Sequence, residues 1–169
     1  PQRHATRRRA SILSLIFTVS LGYAGVQAQN NENDRIRAIE RYKQIQCLAK
    51  NIYFEARDQS ELGQRAVAWV TLNRVVSEDY PSTICEVVWE PKQFSWTHDG
   101  KSDEPKNQEA WYRAKNLAEL VYNRYYGIRQ FVDPTDGAVM FHATYVKPFW
   151  RKHFEKTVRI DDHIFYREL

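Results

Sequence analysis

Glu55 is the carboxylate in this sequence best placed to move a proton. It lies seven residues after Leu48 and three after Ile52. On a helix that spacing puts it at the edge of the apolar face, close to the C-terminal end. Apolar neighbours disfavour the ionised carboxyl, and so does the negative end of a helix dipole. Both effects raise the pKa, as required of a group that protonates a glycosidic oxygen. A glutamate in this position also reads, taken alone, as an ordinary solvated charge.

The other chemistries find weaker support. His98, His142, His153 and His163 are scattered, with no His-Glu-x-x-His pattern and no cysteine close by, so no metal site is expected. Ser95 follows Phe94 outside any Gly-x-Ser-x-Gly elbow, which argues against a serine nucleophile. There is no glycine-rich phosphate loop, so no nucleotide or other cofactor is implied.

The elements around these residues follow from periodicity. Ile45, Leu48, Ala49, Ile52 and Ala56 recur at three- and four-residue steps, which predicts an amphipathic helix ending near Arg57. Ser60 is a candidate N-cap for a second helix from Glu61 to Val76. The centre of that helix, Ala66 to Val70, is apolar nearly all round, so it should be buried on most sides. A short helix runs through Ile84 and Val88. Glu90 to Pro105 reads as an ordered loop carrying Gln93, Phe94, Ser95 and Trp96. Ala110, Ala114, Leu117, Val121 and Tyr125 mark a long helix from Gln108 to Tyr126, with Gly127 as its stop. Asp133 to Gly137 is a turn, Ala138 to His142 a short strand, and Thr157–Ile160 with His163–Tyr166 a hairpin around Asp161-Asp162. Helices first and a small antiparallel piece last is an α+β layout.

The first 28 residues have a different character. Arg3, Arg7, Arg8 and Arg9 precede an apolar run from Ala10 to Ala24, and Val26-Gln27-Ala28 offers small residues where a signal peptidase cuts. Residues 1–28 therefore read as a signal peptide; a retained membrane anchor through residues 10–26 and a buried N-terminal helix are the alternatives. Residues 29–44 read as a polar linker, flexible over Gln29–Asp34, and the start of a helix. Residues 45–169 read as the catalytic domain. The chain carries a net charge of +4, and the leader holds four of its 25 basic residues and none of its 21 acidic ones. The remainder is neutral, so the basic balance does not point to nucleic acid. Cys47 and Cys85 are the only cysteines. In an exported chain an even pair reads as a disulfide, with two buried thiols as the alternative.

Several separate blocks carry a resemblance. They are Cys47-Leu-Ala-Lys-Asn-Ile-Tyr-Phe-Glu-Ala-Arg57, the run from Gly63 to Val75, Tyr80-Pro81-Ser-Thr-Ile-Cys85, and Gln93-Phe94-Ser95-Trp96. Asp133 to Ala138, Phe141-His142 and His163-Ile-Phe-Tyr166 complete the set. Together, in this order, they resemble the cell-wall hydrolases of the spore cortex-lytic enzyme (SleB-like) family, over Cys47 to Tyr166. The resemblance implies a lysozyme-like α+β domain acting on peptidoglycan glycan strands, with Glu55 as catalytic acid/base. It also implies a substrate cleft formed by Gln93, Phe94, Ser95, Phe141 and His142, to which Trp96, His163 and Tyr166 are added as candidates. His142 and His163 also read as satisfied core histidines, and Trp96 as a packing residue. Three positions depart from the family pattern: Lys92 and His98 stand where relatives often have a second cysteine pair, and Asp161 where a glycine is common.

The expected function is that of a monomeric, exported enzyme of the periplasm or cell envelope. It would be a lytic transglycosylase that cuts the β-1,4 bond between N-acetylmuramic acid and N-acetylglucosamine and leaves 1,6-anhydro ends. A muramidase in which Asp133 or another acid activates water, a stem-peptide amidase, and an inactive wall-binding module are the competing readings. The Gln93–Trp96 loop is expected to form one wall of the cleft, facing Glu55.

Overall fold

The apolar positions that predict the first helix are buried together. Ile45, Leu48, Ala49, Ile52 and Ala56 face the core from the C-terminal part of α1 (Thr6–Ala56). A computed structural model provides the fold; it describes residues 6–128 and 132–169, with side chains for 27–127 and 132–169. The side chains of residues 1–26, and with them those of the anchor through residues 10–26 and of Val26 in the cleavage site, lie outside those described. Among the described residues no helix is long and apolar enough to cross a membrane.

The chain divides into two units, Pro1–Arg41 and Tyr42–Leu169. In the first, Gln29–Asp34 is helical rather than the expected flexible junction. Its side chains are largely solvated and linked at one-turn spacing, Gln29 to Asn33, Glu32 to Arg35 and Asp34 to Arg37. Such pairs suit a helix surface.

In the second unit α2 (Glu61–Val76) is the central element. Ala68, Trp69 and Leu72 pack into a core shared with α1, with α3 (Ile84–Trp89) and with α4 (Gln108–Asn123). Ala66 and Val70, on another side of α2, pack against Ala138, Ile160 and Phe165 of the sheet region. A helix placed between two apolar clusters must be apolar all round, as its sequence is. Ser60 caps it as expected, accepting from the Gly63 amide at 3.2 Å. Asp161 adds a second cap, its Oδ2 accepting from both the amide and the hydroxyl of Ser60 at 2.9 and 2.6 Å. A Cβ at position 63 would meet that same oxygen at 2.5 Å, so Gly63 is the space the cap occupies. Asp161 has φ 49°. It therefore supplies the left-handed turn residue that a glycine would supply and gains a cap in exchange.

The sheet has three antiparallel strands in the order β1-β3-β2, with β1 Met140–Ala143, β2 Glu155–Ile160 and β3 His163–Arg167. The hairpin closes at the Ile160–His163 pair and is irregular between Lys156 and Arg159. Beyond α4 the helix does not stop at Gly127; a π-helical turn continues it over Arg124–Ile128. Tyr122, Tyr125 and Tyr126 pack on one another there, with ring centroids 4.6 and 4.9 Å apart. Cys47 and Cys85 form a disulfide across 38 residues, with Cα atoms 5.2 Å apart, tying α1 to α3.

Candidate active site

Glu55 lies one residue before the C-terminal residue of α1 and is half-buried. Burial pushes its carboxyl up to about 7, against a smaller opposing pull from the Arg74 guanidinium. The neighbouring residues explain the burial. Ile52 and Ala56 are within the core, and Phe54 stacks on Trp96 at 4.6 Å.

Arg74 comes to the site from α2. It is 3% exposed. Its Nε donates to the Val139 carbonyl at 2.7 Å, and its guanidinium lies 5.1 Å from the Tyr80 ring and 5.0 Å from the Phe94 ring. Burial lowers the Arg74 pKa, while Tyr80, Glu90 and Glu55 hold it up. Nη1 of Arg74 and Oε2 of Glu90 are both buried without a hydrogen-bond partner in the protein. One cation thus stands among Glu55, Glu90 and Tyr80 without being committed to any of them. It can stabilise the Glu55 carboxylate once the proton has left.

The expected cleft residues fall into separate places. Ser95 is exposed and lines a cavity of about 500 Å³ with Phe54, Arg57 and the loop up to Asn107. Gln93 is half-buried. Phe94 and Trp96, at 2% and 6% exposure, pack in the core. Phe94 supports Arg74, and Trp96 donates from Nε1 to Asn51 Oδ1 at 3.1 Å. Trp96 still reaches the wall of the Ser95 cavity; Phe94 does not line it. Trp89, 42% exposed at the end of α3, is the aromatic residue of this region that sequence reasoning passed over, because it closes a short apolar run and looks like packing.

The sheet residues lie on the two faces of the sheet: His142 and Tyr166 pack with Trp150 on one, and Phe141 and His163 with Phe165 on the other. His142 Nδ1 lies 2.8 Å from the Ala143 carbonyl and Nε2 lies 3.0 Å from the Tyr166 hydroxyl. Both contacts are satisfied by a neutral ring that donates from Nδ1 and accepts from the hydroxyl. Phe141 packs edge-on to His163 at 5.1 Å. His163 is 7% exposed, and burial lowers its pKa. His142 thus fits the reading of a satisfied core histidine, with Tyr166, 6% exposed, as its partner; His163 is buried, but its Nδ1 has no hydrogen-bond partner in the protein.

Asp133 is occupied as well. Its Oδ1 accepts from the Thr135 amide and hydroxyl, and its Oδ2 from Asn73 Nδ2 and the Gly137 amide. Four donors make it the organiser of its turn and leave it no capacity to activate water. Among the described residues no group of three or more His, Cys, Asp or Glu could hold a metal ion.

Residues 58–166 match the family model for Cell Wall Hydrolase, and the chain belongs to that family. Among its relatives, a spore cortex-lytic enzyme of Bacillus cereus is 37% identical over 102 residues, covering 57% of this chain and 39% of that protein. The chain thus spans about two fifths of the length of such curated relatives. The catalytic domain of the Bacillus cereus SleB protein has a similar structure, with TM-score 0.59 and 32% identity over 73% of this chain and 89% of that one. The catalytic domain of the germination-specific lytic transglycosylase SleB from Bacillus anthracis gives 0.58 and 30%, over 73% and 93%. The α+β, lysozyme-like class read from the sequence holds. The family match begins three residues after Glu55, so the role of Glu55 rests on its own geometry and on the blocks around it.

Proposed function

We propose that this chain is a peptidoglycan lytic transglycosylase using Glu55 as its single acid/base. The observation that carries the reading is a half-buried carboxyl at a helix end, held up to about 7 by burial and acted on by the buried guanidinium of Arg74, whose Nη1 has no partner in the protein. Protonated Glu55 gives its proton to the glycosidic oxygen between N-acetylmuramic acid and N-acetylglucosamine. The carboxylate left behind, stabilised by Arg74, takes the proton of the C6 hydroxyl as that oxygen closes on C1. No water enters the product, and no second carboxylate is required. Proton transfer of this kind accounts for roughly 10²–10⁴ in rate; binding and distortion of the polymer supply the rest. A substrate confined to the cell wall requires an exported protein, acting at the cell envelope or in the periplasm, with residues 1–28 as its leader.

The experiment is a reducing-end assay on purified peptidoglycan. Soluble muropeptides should be released without a matching rise in reducing ends; an equal rise would make the enzyme a muramidase. The pH dependence adds a second expectation. The acid form of Glu55 is lost as pH rises through about 7, so kcat/KM on soluble glycan strands should fall above that pH. A limb near the ordinary glutamate value would contradict the assignment.

A further inference from the structure

We propose that Trp89 is a stacking platform for an N-acetylhexosamine ring of the glycan strand, a binding subsite beside Glu55. The inference rests on the glycan-cleaving reading above and extends it to a named contact. Of the five tryptophans, Trp69 and Trp96 are buried and Trp111 and Trp150 half-buried; Trp89 alone is exposed. An indole left in water costs hydrophobic stabilisation that the protein elsewhere secures by burial.

The exposed ring is also held still. Trp89 packs edge-on to Trp96 at 5.2 Å, with 67° between the planes. Trp96 is locked in turn by its hydrogen bond to Asn51 and its stack on Phe54. A ring fixed in this way loses little freedom on binding, so its contact surface is expressed as affinity.

A chain of ring contacts and a shared charge partner lead from the ring toward the reacting group. Through side chains, Trp89 leads to Trp96 and then to Phe54, the residue before Glu55. Through charge, Glu90, the next residue after Trp89, acts on Arg74, as Glu55 does. Glu55 near the end of α1 and Glu90 just after α3 thus act on one and the same guanidinium. An indole presents an apolar face with a donor at one edge, which matches the C–H face and acetamido oxygen of an N-acetylated sugar.

The test uses the full chain with Glu55→Gln, so that strands are bound without being cut, and the probe is a purified uncrosslinked glycan strand. Tryptophan emission and the dissociation constant are followed together. Glu55→Gln should bind the strand with a change in emission. Adding Trp89→Ala should weaken binding by about tenfold. Adding Trp89→Phe, which keeps a ring against Trp96, should retain most of the affinity but lose most of the emission change. Unchanged affinity in Trp89→Ala, or a full emission change in Trp89→Phe, overturns the subsite while leaving the glycan reading in place. Failure of the Glu55→Gln chain itself to bind any strand overturns the glycan reading and the subsite with it. A melting curve matching the parent shows that lost binding in Trp89→Ala is not lost fold.

Discussion

Glu55→Gln is expected to lower peptidoglycan cleavage by at least about a hundredfold while making the protein more stable at pH 8. The first effect follows because glutamine keeps the shape of the side chain but can neither give nor accept the proton. The second follows from linkage. Burial raises the folded-state pKa of Glu55 from its ordinary 4.5 to about 7. The stability associated with the neutral carboxyl is fully present below 4.5 and is lost as pH rises through 7. Glutamine is neutral at every pH, so its advantage grows between pH 4.5 and 7, is complete above 7 and vanishes in acid. Allowing for the water that reaches this half-buried group, the gain is on the order of 2 kcal/mol. Thermal melts of both proteins at pH 5 and pH 8 measure it. A Glu55→Gln protein that is inactive and also destabilised at pH 8 would mean that the residue is structural.

Replacing Cys47 and Cys85 together by alanine is expected to cost about 4 kcal/mol of stability, from the loop entropy that the crosslink removes from the unfolded chain. That is a large part of the 5–15 kcal/mol typical of a domain. The bridge joins α1, eight residues before Glu55, to α3, four residues before Trp89, so the loss should reach the site as well. Denaturant unfolding of the parent and the double variant gives the difference. Alkylation under non-reducing, denaturing conditions should find no free thiol in the exported protein.

Local signals made part of this fold readable. The extent of α2 follows from Ser60 and from the unbroken apolar centre, because a cap and a fully buried helix both leave marks in the sequence. The hairpin follows from alternation around Asp161-Asp162. Other features depend on partners distant in the chain. Asp161 caps α2 from 101 residues away, and only the fold shows why it stands where a glycine is common. Asp133 looks like a spare acid until its four donors are counted.

The candidate site shows the same division. Glu55 was legible because helical spacing fixes its side of α1. The aromatic residues were not, since nothing local distinguishes Trp96, bound to Asn51 and buried, from Trp89, which is exposed. Arg74 went unnoticed because an arginine inside an apolar helix is recognised as a buried cation only when its neighbours are seen.

The most direct measurement is mass spectrometry of the muropeptides released from purified peptidoglycan in heavy-oxygen water, by the parent protein and by Glu55→Gln. The account predicts 1,6-anhydro-muramic ends with no heavy oxygen from the parent, and no release above background from the variant. Reducing ends that carry heavy oxygen, free stem peptides, or the same products from Glu55→Gln would contradict it.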